Sequence, residues 1–144
     1  MAVLSGGDSI AKALSAIGQK MSGSLTVGFM NGATYPDGVK VAQVAFWNEF
    51  GTTTTPSRPF FRKMIADESP GWGALVARAA AYYNYDGATI LNFMGEKIAE
   101  DLQQSIVGWQ DPRNAASTIA KKGFDKPLID TGDMSRSITY EVTP

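Results

Sequence analysis

Residues Ala88–Val107, ATILNFMGEKIAEDLQQSIV, decide the fold. Leu91, Met94, Ile98, Leu102 and Ile106 recur at three- and four-residue intervals, close to one face of a helix, while Glu100, Gln103 and Gln104 fall on the other. Lys97 and Asp101 form an i,i+4 pair, worth a few tenths of a kcal/mol on an open helix surface. About 20 residues rising ~1.5 Å each span roughly 30 Å, the width of a small domain. A helix of this length with one apolar stripe is expected to be the spine against which the remaining elements pack.

Working back from that spine, Asn84 to Gly87 interrupts the chain, and the Ala-rich stretch Trp72 to Tyr83 reads as helix. Ser69-Pro70-Gly71 is expected to break it from a separate helix running from Phe60 to about Glu68, which carries Phe60, Phe61, Met64 and Ile65 and has Pro59 at its first turn. Thr52 to Ser57, four threonines followed by Pro56, is expected to be extended. A helix from about Val39 to Phe50 has Val41, Val44, Ala45 and Phe50 as its expected buried stripe and Gly51 as a left-handed C-cap. Asn31 to Gly38 holds Asn-Gly, Tyr-Pro and Asp-Gly and reads as a turn or exposed loop. Leu25, Val27 and Phe29 alternate with Thr26 and Gly28, a strand pattern. Ile10, Leu14, Ile17 and Met21 follow Asp8 and Ser9 at helical spacing, and Gly23 ends that amphipathic segment.

Beyond the spine, Trp109 to Arg113 reads as a turn, Asn114 to Lys122 as a short helix ended by Gly123, and Lys126 to Ile129 as extended. Asp130 or Thr131 caps a further short helix with Asp133 in its first turn. Ile138, Tyr140 and Val142 alternate with Thr139 and Glu141, a terminal strand. Strands near both ends with helices between predict one α+β domain over residues 1–144, a small antiparallel sheet packed against several helices including one long central helix.

The composition narrows the function. The 144 residues contain no His and no Cys, which removes the commonest general base, the Ser-His-Asp triad, thiolate and imidazole metal sites, and disulfides. Thirteen Lys and Arg against fourteen Asp and Glu leave a net charge of −1, so no basic field gathers nucleic acid or an anionic membrane. No apolar run approaches the roughly 18–20 residues that cross a bilayer. The N-terminal MAVLSGGDSIAKAL lacks the basic lead and apolar core of a signal peptide, so synthesis and folding in a cytoplasm are expected.

Four constellations bear on chemistry. Glu96, Glu100 and Asp101 lie within two helical turns and are the only ground for a carboxylate-only hydrolase or an oxygen-ligand metal site. Lys97 on the same helix makes a solvated face the better reading. Asp125, Asp130 and Asp133 lack the ligand order of a calcium loop, and Ser135, Arg136 and Ser137 have no base beside them. Arg58, Arg62 and Lys63 beside Phe60 and Phe61 are the only support for a nucleic-acid-binding module. Three charges supply little of the counterion-release affinity such binding needs, and Asp67 and Glu68 close the same helix. No catalytic residue, cofactor or metal is expected.

Two separated segments resemble a known family. Asn48-Glu49-Phe50-Gly51-Thr52 followed by Pro56-Ser57-Arg58-Pro59-Phe60 resembles the E-F-G-T and P-x-R-P-F elements of the neck, tail-completion and virion-morphogenesis proteins of tailed bacteriophages. Pro127-Leu128-Ile129-Asp130-Thr131-Gly132-Asp133-Met134 with Ser137-Ile138 is similar to that family's C-terminal P-L-x-D-T-G-x-(L/M)-x-x-S-I ending. Thr118 to Gly123 is similar to its T-I-x-x-K-G run. The resemblance implies a non-catalytic α+β subunit of the virion, made in the bacterial cytoplasm, that forms a homo-oligomeric ring at the head–tail junction. A hexamer is favoured over a dodecamer. Its implied partners are its own copies, a head connector, adaptor or head-closure protein on one side and a tail-terminator or tail-tube protein on the other, with DNA passing through the ring and no membrane. A tail terminator capping the tail tube is the alternative position.

The same resemblance implies an interface at Glu49, Phe50, Gly51, Thr52, Thr53, Thr54, Thr55, Pro56, Arg58, Pro59, Phe60, Leu128, Thr131 and Gly132. Pro59 pushes the Arg58 backbone toward an extended conformation, placing a guanidinium at a loop–helix junction. There it either pins its own loop or reaches a carboxylate of the neighbouring subunit. The resemblance favours the neighbour.

Overall fold

The alternating segments of the sequence pair with one another, and their shared apolar face meets the long helical stripe. This is seen in a computed structural model that describes residues 7–109 and 133–144. The described elements run α1 (Gly7–Lys20), β1 (Ser24–Phe29), α2 (Val41–Phe50), α3 (Phe60–Tyr82), α4 (Gly87–Val107), α5 (Asp133–Arg136) and β2 (Ile138–Thr143). The fold is α+β. Strands β1 and β2 form a two-stranded antiparallel sheet in which Leu25 faces Val142, Val27 faces Tyr140 and Phe29 faces Ile138. Because side chains alternate along a strand, all six stand on one face, and the sheet lays that face on α4. At Gly95 the two layers nearly touch, since a Cβ there would lie 2.6 Å from Tyr140 Cγ.

Helices α3 and α4 form a hairpin. Its turn places Asn84 and Tyr85 at φ 53° and 60°, and Asp86 caps α4 by accepting the Thr89 N–H at 3.3 Å. The main core lies at the C-terminal end of α4, where Leu102 and Ile106 meet Val41, Ala45, Phe60, Met64, Met134 and Ile138. Phe29 and Phe60 pack edge to face there with centroids 6.2 Å apart. A second, smaller cluster of Ala79, Ala80 and Ile90, with Met21 against it, lies at the N-terminal end of α4.

The structure corrects several expectations. Residues 60–82 form one helix that passes through Ser69-Pro70-Gly71. A proline inside a helix costs about 3 kcal/mol, but Met64 on one side of Pro70 and Ala79 and Ala80 on the other are all buried in clusters built on α4. Docking both halves on one helix keeps them collinear. Pro70 and Ala66, whose carbonyl loses its donor, are exposed, so the break in the helix ladder lies at the surface and not in the core. Thr52 to Thr55 is a closed turn rather than an extended piece: Thr52 N–H donates to Thr55 O at 2.9 Å, and Thr52 Oγ1 accepts the Thr55 N–H at 3.0 Å. Asp101, expected on the solvated face of α4, is buried. Phe50, expected in the buried stripe of α2, is exposed, and Glu49 is buried in its place. The turn, short helix, extended piece and cap expected between Gln110 and Gly132 lie outside the described residues, as do Asp125 and Asp130.

Candidate functional site

Helix α2 divides its faces sharply. Val41, Ala45 and Glu49, one turn apart, point inward. Phe46, Trp47 and Phe50 point out and are 57%, 43% and 54% exposed. Phe46 and Phe50 stack with ring centroids 4.8 Å apart, and the Arg62 guanidinium lies 4.7 Å above the Phe50 ring. Three large aromatics are thus exposed on a helix whose only charged residue is turned inward, and the half-exposed Arg62 guanidinium borders them.

Beneath that surface lies a polar joint. Glu49 Oε2 accepts the Phe61 N–H at 2.9 Å and Oε1 accepts the Arg62 N–H at 3.0 Å, so the carboxylate sits on the first turn of α3. Unpaired N–H groups and the positive end of the helix dipole favour an anion at this place. Arg62 completes the clamp: Nε donates to Glu49 Oε1 at 2.8 Å and a terminal nitrogen donates to Glu49 O at 2.9 Å. Ser57 Oγ donates to the same carbonyl at 2.7 Å, and the Arg58 N–H donates to Asn48 O at 2.6 Å. Gly51 turns the chain at φ 77°, where a Cβ would lie 2.9 Å from Ser57 N. The E-F-G-T and P-x-R-P-F elements are therefore two halves of one hydrogen-bonded unit, the first supplying the anion that caps the helix opened by the second.

That unit sorts the sequence-derived interface residues. Phe50, Thr52, Thr53, Thr54 and Pro56 are exposed, and Gly51, Thr55 and Pro59 are half-buried. Glu49, Arg58 and Phe60 are buried in their own chain. Arg58, with 6% of its surface exposed, is enclosed by its own chain, which favours the alternative in which it pins its own loop. Leu128, Thr131 and Gly132 lie outside the described residues. Sequence reasoning missed Phe46 and Trp47. Their i,i+4 and i,i+3 relation to Phe50 was a usable signal, but apolar spacing alone does not say which stripe of a helix with apolar residues on several sides faces the core.

The described members of the other constellations are mostly engaged within the fold. Arg58 is buried, Arg62 is committed to Glu49, and Lys63 pairs with Asp67 at 2.7 Å, so the basic cluster offers no array of free cations to a phosphate backbone. Glu96 is exposed, Glu100 accepts from Gln104 at 3.2 Å, and Asp101 pairs with Lys97 at 2.8 Å. Hydrogen bonding from the ammonium to Asp101, reinforced by the charge of that carboxylate, holds the Lys97 pKa above its ordinary value. Among the described residues no group of three or more Asp and Glu side chains is placed to hold a metal ion. A cleft of about 220 Å³ between α3 and α4 is lined by Lys63, Asp67, Glu68, Asp101, Gln104 and Trp109 among others. Asp101 Oδ2 and Trp109 Nε1 are buried without hydrogen-bond partners. Asp133 accepts from Arg136 at 2.9 Å, and the Ser137 hydroxyl donates to the Asp133 carbonyl at 2.6 Å, so this group serves the short helix it sits on.

Comparison of the chain with protein-family models, with curated proteins and with solved structures gives no match.

Proposed function

We propose that the protein is a structural subunit of a tailed-bacteriophage virion, a neck or tail-completion protein whose copies close into a ring joining the head connector to the tail. The observation that carries this reading is the surface at the end of α2, where the exposed Phe46, Trp47 and Phe50 adjoin the uncharged Thr52–Pro56 turn. The turn carries no charge, and the one cation bordering the aromatics, Arg62, is already paired with Glu49, which lowers the desolvation penalty of covering them with another protein. The clamp of Glu49 and Arg62 beneath them holds this surface in one shape before any partner arrives. The surface is built from the same E-F-G-T and P-x-R-P-F elements that carry the family resemblance. Its work is assembly: a head-to-tail contact repeats until the ring closes, leaving one face for the head connector and the other for the tail.

The test is made on particles. Tailed particles are purified from a culture whose genome encodes the chain, and their proteins are quantified by mass spectrometry, with class averages of the purified chain recorded in parallel. The expected result is the polypeptide in fixed copy number per particle, at a multiple of six, and ring-shaped averages. Complete particles that lack the polypeptide would overturn the proposal.

A further inference from the structure

The turn that follows β1 is exposed and lightly held. Asn31 and Gly32 stand at its centre, both open to solvent, and Gly32 has φ 84°, the conformation that selects glycine as the third residue of such a turn. One backbone hydrogen bond closes it, from the Ala33 N–H to Met30 O at 3.2 Å. Among the described residues, neither the Gly32 N–H nor the Asn31 side chain has a hydrogen-bond partner. A Cβ at Gly32 would meet nothing within 4 Å, so the space beside its nitrogen is open. With no side chain of its own, Gly32 can swing its peptide nitrogen toward the neighbouring amide at little conformational cost.

We infer that Asn31–Gly32 is a site of self-modification, at which the chain loses ammonia and gains a carboxylate, and that the fold confines this chemistry to that turn. The Gly32 nitrogen attacks Asn31 Cγ. A bond forms between them, the Cγ–Nδ2 bond breaks, and the proton of the Gly32 N–H leaves with the amide nitrogen as ammonia. The product is a cyclic imide, which water opens at either carbonyl. Opening at Cγ leaves an ordinary backbone with an aspartyl side chain. Opening at the main-chain carbonyl leaves an isoaspartyl linkage, with one more atom in the backbone. No oxidant, metal or second protein takes part.

The other described sites open to the same reaction are held. Asn48 and Asn92 lie inside α2 and α4, where the next N–H belongs to the helix ladder, and their side chains donate to Val44 O at 2.9 Å and Ala88 O at 2.8 Å. After Asn84, the Tyr85 N–H donates to Ala80 O at 2.8 Å. Two Asp-Gly pairs could form the same imide with loss of water. In one, the Gly38 N–H donates to Tyr35 O at 2.9 Å and Asp37 Oδ1 accepts the Val39 N–H at 3.0 Å. In the other, Asp86 is the cap of α4 and Gly87 is buried against Met21. Each would give up hydrogen bonds or packing before its ring could close. The consequence at Asn31 is local and directional. The turn lies between two tethers, the Met30 N–H to Ser137 O at 2.6 Å and the Val41 N–H to Ala33 O at 3.0 Å. Reaction therefore puts a new negative charge, and in part a lengthened backbone, into the link between the sheet and the start of α2.

The test is ageing followed by peptide mapping. The purified chain is held folded in mildly alkaline buffer, beside a sample unfolded in urea, a synthetic peptide with the sequence of residues 29–35, and the variant Gly32→Ala with its folding confirmed by circular dichroism. Mass spectrometry scores amide-to-acid exchange, and chromatography separates aspartyl from isoaspartyl peptides. The expected result is reaction at Asn31 in the folded chain, many-fold above Asn48, Asn84, Asn92, Asp37 and Asp86, with both products present. Unfolding should raise the rate at Asp37 and Asp86 many-fold while changing that at Asn31 little, and Gly32→Ala should slow Asn31 many-fold. Asn31 intact in the folded chain when the peptide is fully converted would overturn the inference. Equal rates at Asp37 or Asp86 in the folded and unfolded samples would overturn the confinement by the fold, and an undiminished rate in Gly32→Ala would overturn the part given to Gly32.

Discussion

The two ends of α4 are built differently. At its C-terminal end Leu102 and Ile106 are fully enclosed by residues from α2, α3, α5 and β2, and the Glu49 clamp lies just beyond them. At its N-terminal end the buried cluster consists of two alanines and Ile90, and the helix that joins it, α1, buries nothing. Apolar stripes exist at both ends, so sequence hydrophobicity does not account for the difference. The number of elements converging on each end does. Where several segments meet, a stripe becomes a core. Where one segment stands alone, the same stripe remains a surface available to a partner. The molecule is thus a firm platform at one end and an arm at the other, and amide exchange should follow that gradient, with α1 opening at the lowest free energy.

The sharpest way to break this comparison is at the firm end. Leu102→Ala should destabilise the protein by about 3–5 kcal/mol, because a fully enclosed side chain leaves a cavity that the packed helices cannot refill. A loss below about 1 kcal/mol in urea unfolding would mean that this end is no firmer than the other. Arg58→Ala comes next, with a loss of about 2–4 kcal/mol expected for a buried, engaged guanidinium. The readout is thermal unfolding of the isolated chain, and an unchanged midpoint would return Arg58 to the role of an intersubunit contact. Glu49→Ala should cost about 2–3 kcal/mol, since it strips an anion from the first turn of α3 and leaves Arg62 without its carboxylate. Glu49→Gln, which keeps one acceptor oxygen, should recover part of that in the same denaturation series.

Smaller effects sharpen the comparison. Since the Lys97 pKa is raised in the fold above its ordinary 10.5, the stability contributed by its pair with Asp101 is complete below that ordinary value and is lost as pH rises through the raised one. Subtracting the pH profile of Lys97→Met from that of the native chain isolates this loss, and a flat difference across the alkaline range would remove the pair from the account. Leu14→Gln, on the arm, should change stability by no more than about 0.5 kcal/mol. A loss above about 1 kcal/mol in urea unfolding would show that the arm is held as firmly as the platform.

Much of this architecture was legible in the chain, because side-chain direction follows from local backbone geometry. The alternation of Leu25, Val27 and Phe29 and of Ile138, Tyr140 and Val142 marks two strands, and the stripe from Leu91 to Ile106 marks the spine, whatever they pack against. The segment from Glu49 to Phe60 was marked as a unit by its residues alone. What that unit does inside the fold was not legible: Glu49 reaches N–H groups 12 and 13 residues away, and no local pattern announces that a carboxylate will cap a helix beyond a turn. The continuity of α3 through Pro70 likewise follows from α4 supporting both halves, a contact that outweighs the local propensity to break.

Local order came from the chain: which residues are helical or extended, and which of their faces are apolar. Burial did not. Val41 and Phe50 stand on one helix and look alike as hydrophobic residues, yet Val41 is enclosed and Phe50 is open to solvent. Asp101 shares a face with solvated residues in the sequence pattern and is buried, and Ile10 and Leu14 form the apolar stripe of an amphipathic helix and are exposed. The physical reason is the same in each case. Whether a face is covered depends on segments far away in sequence arriving at the same place, and that is decided only when the elements pack around α4.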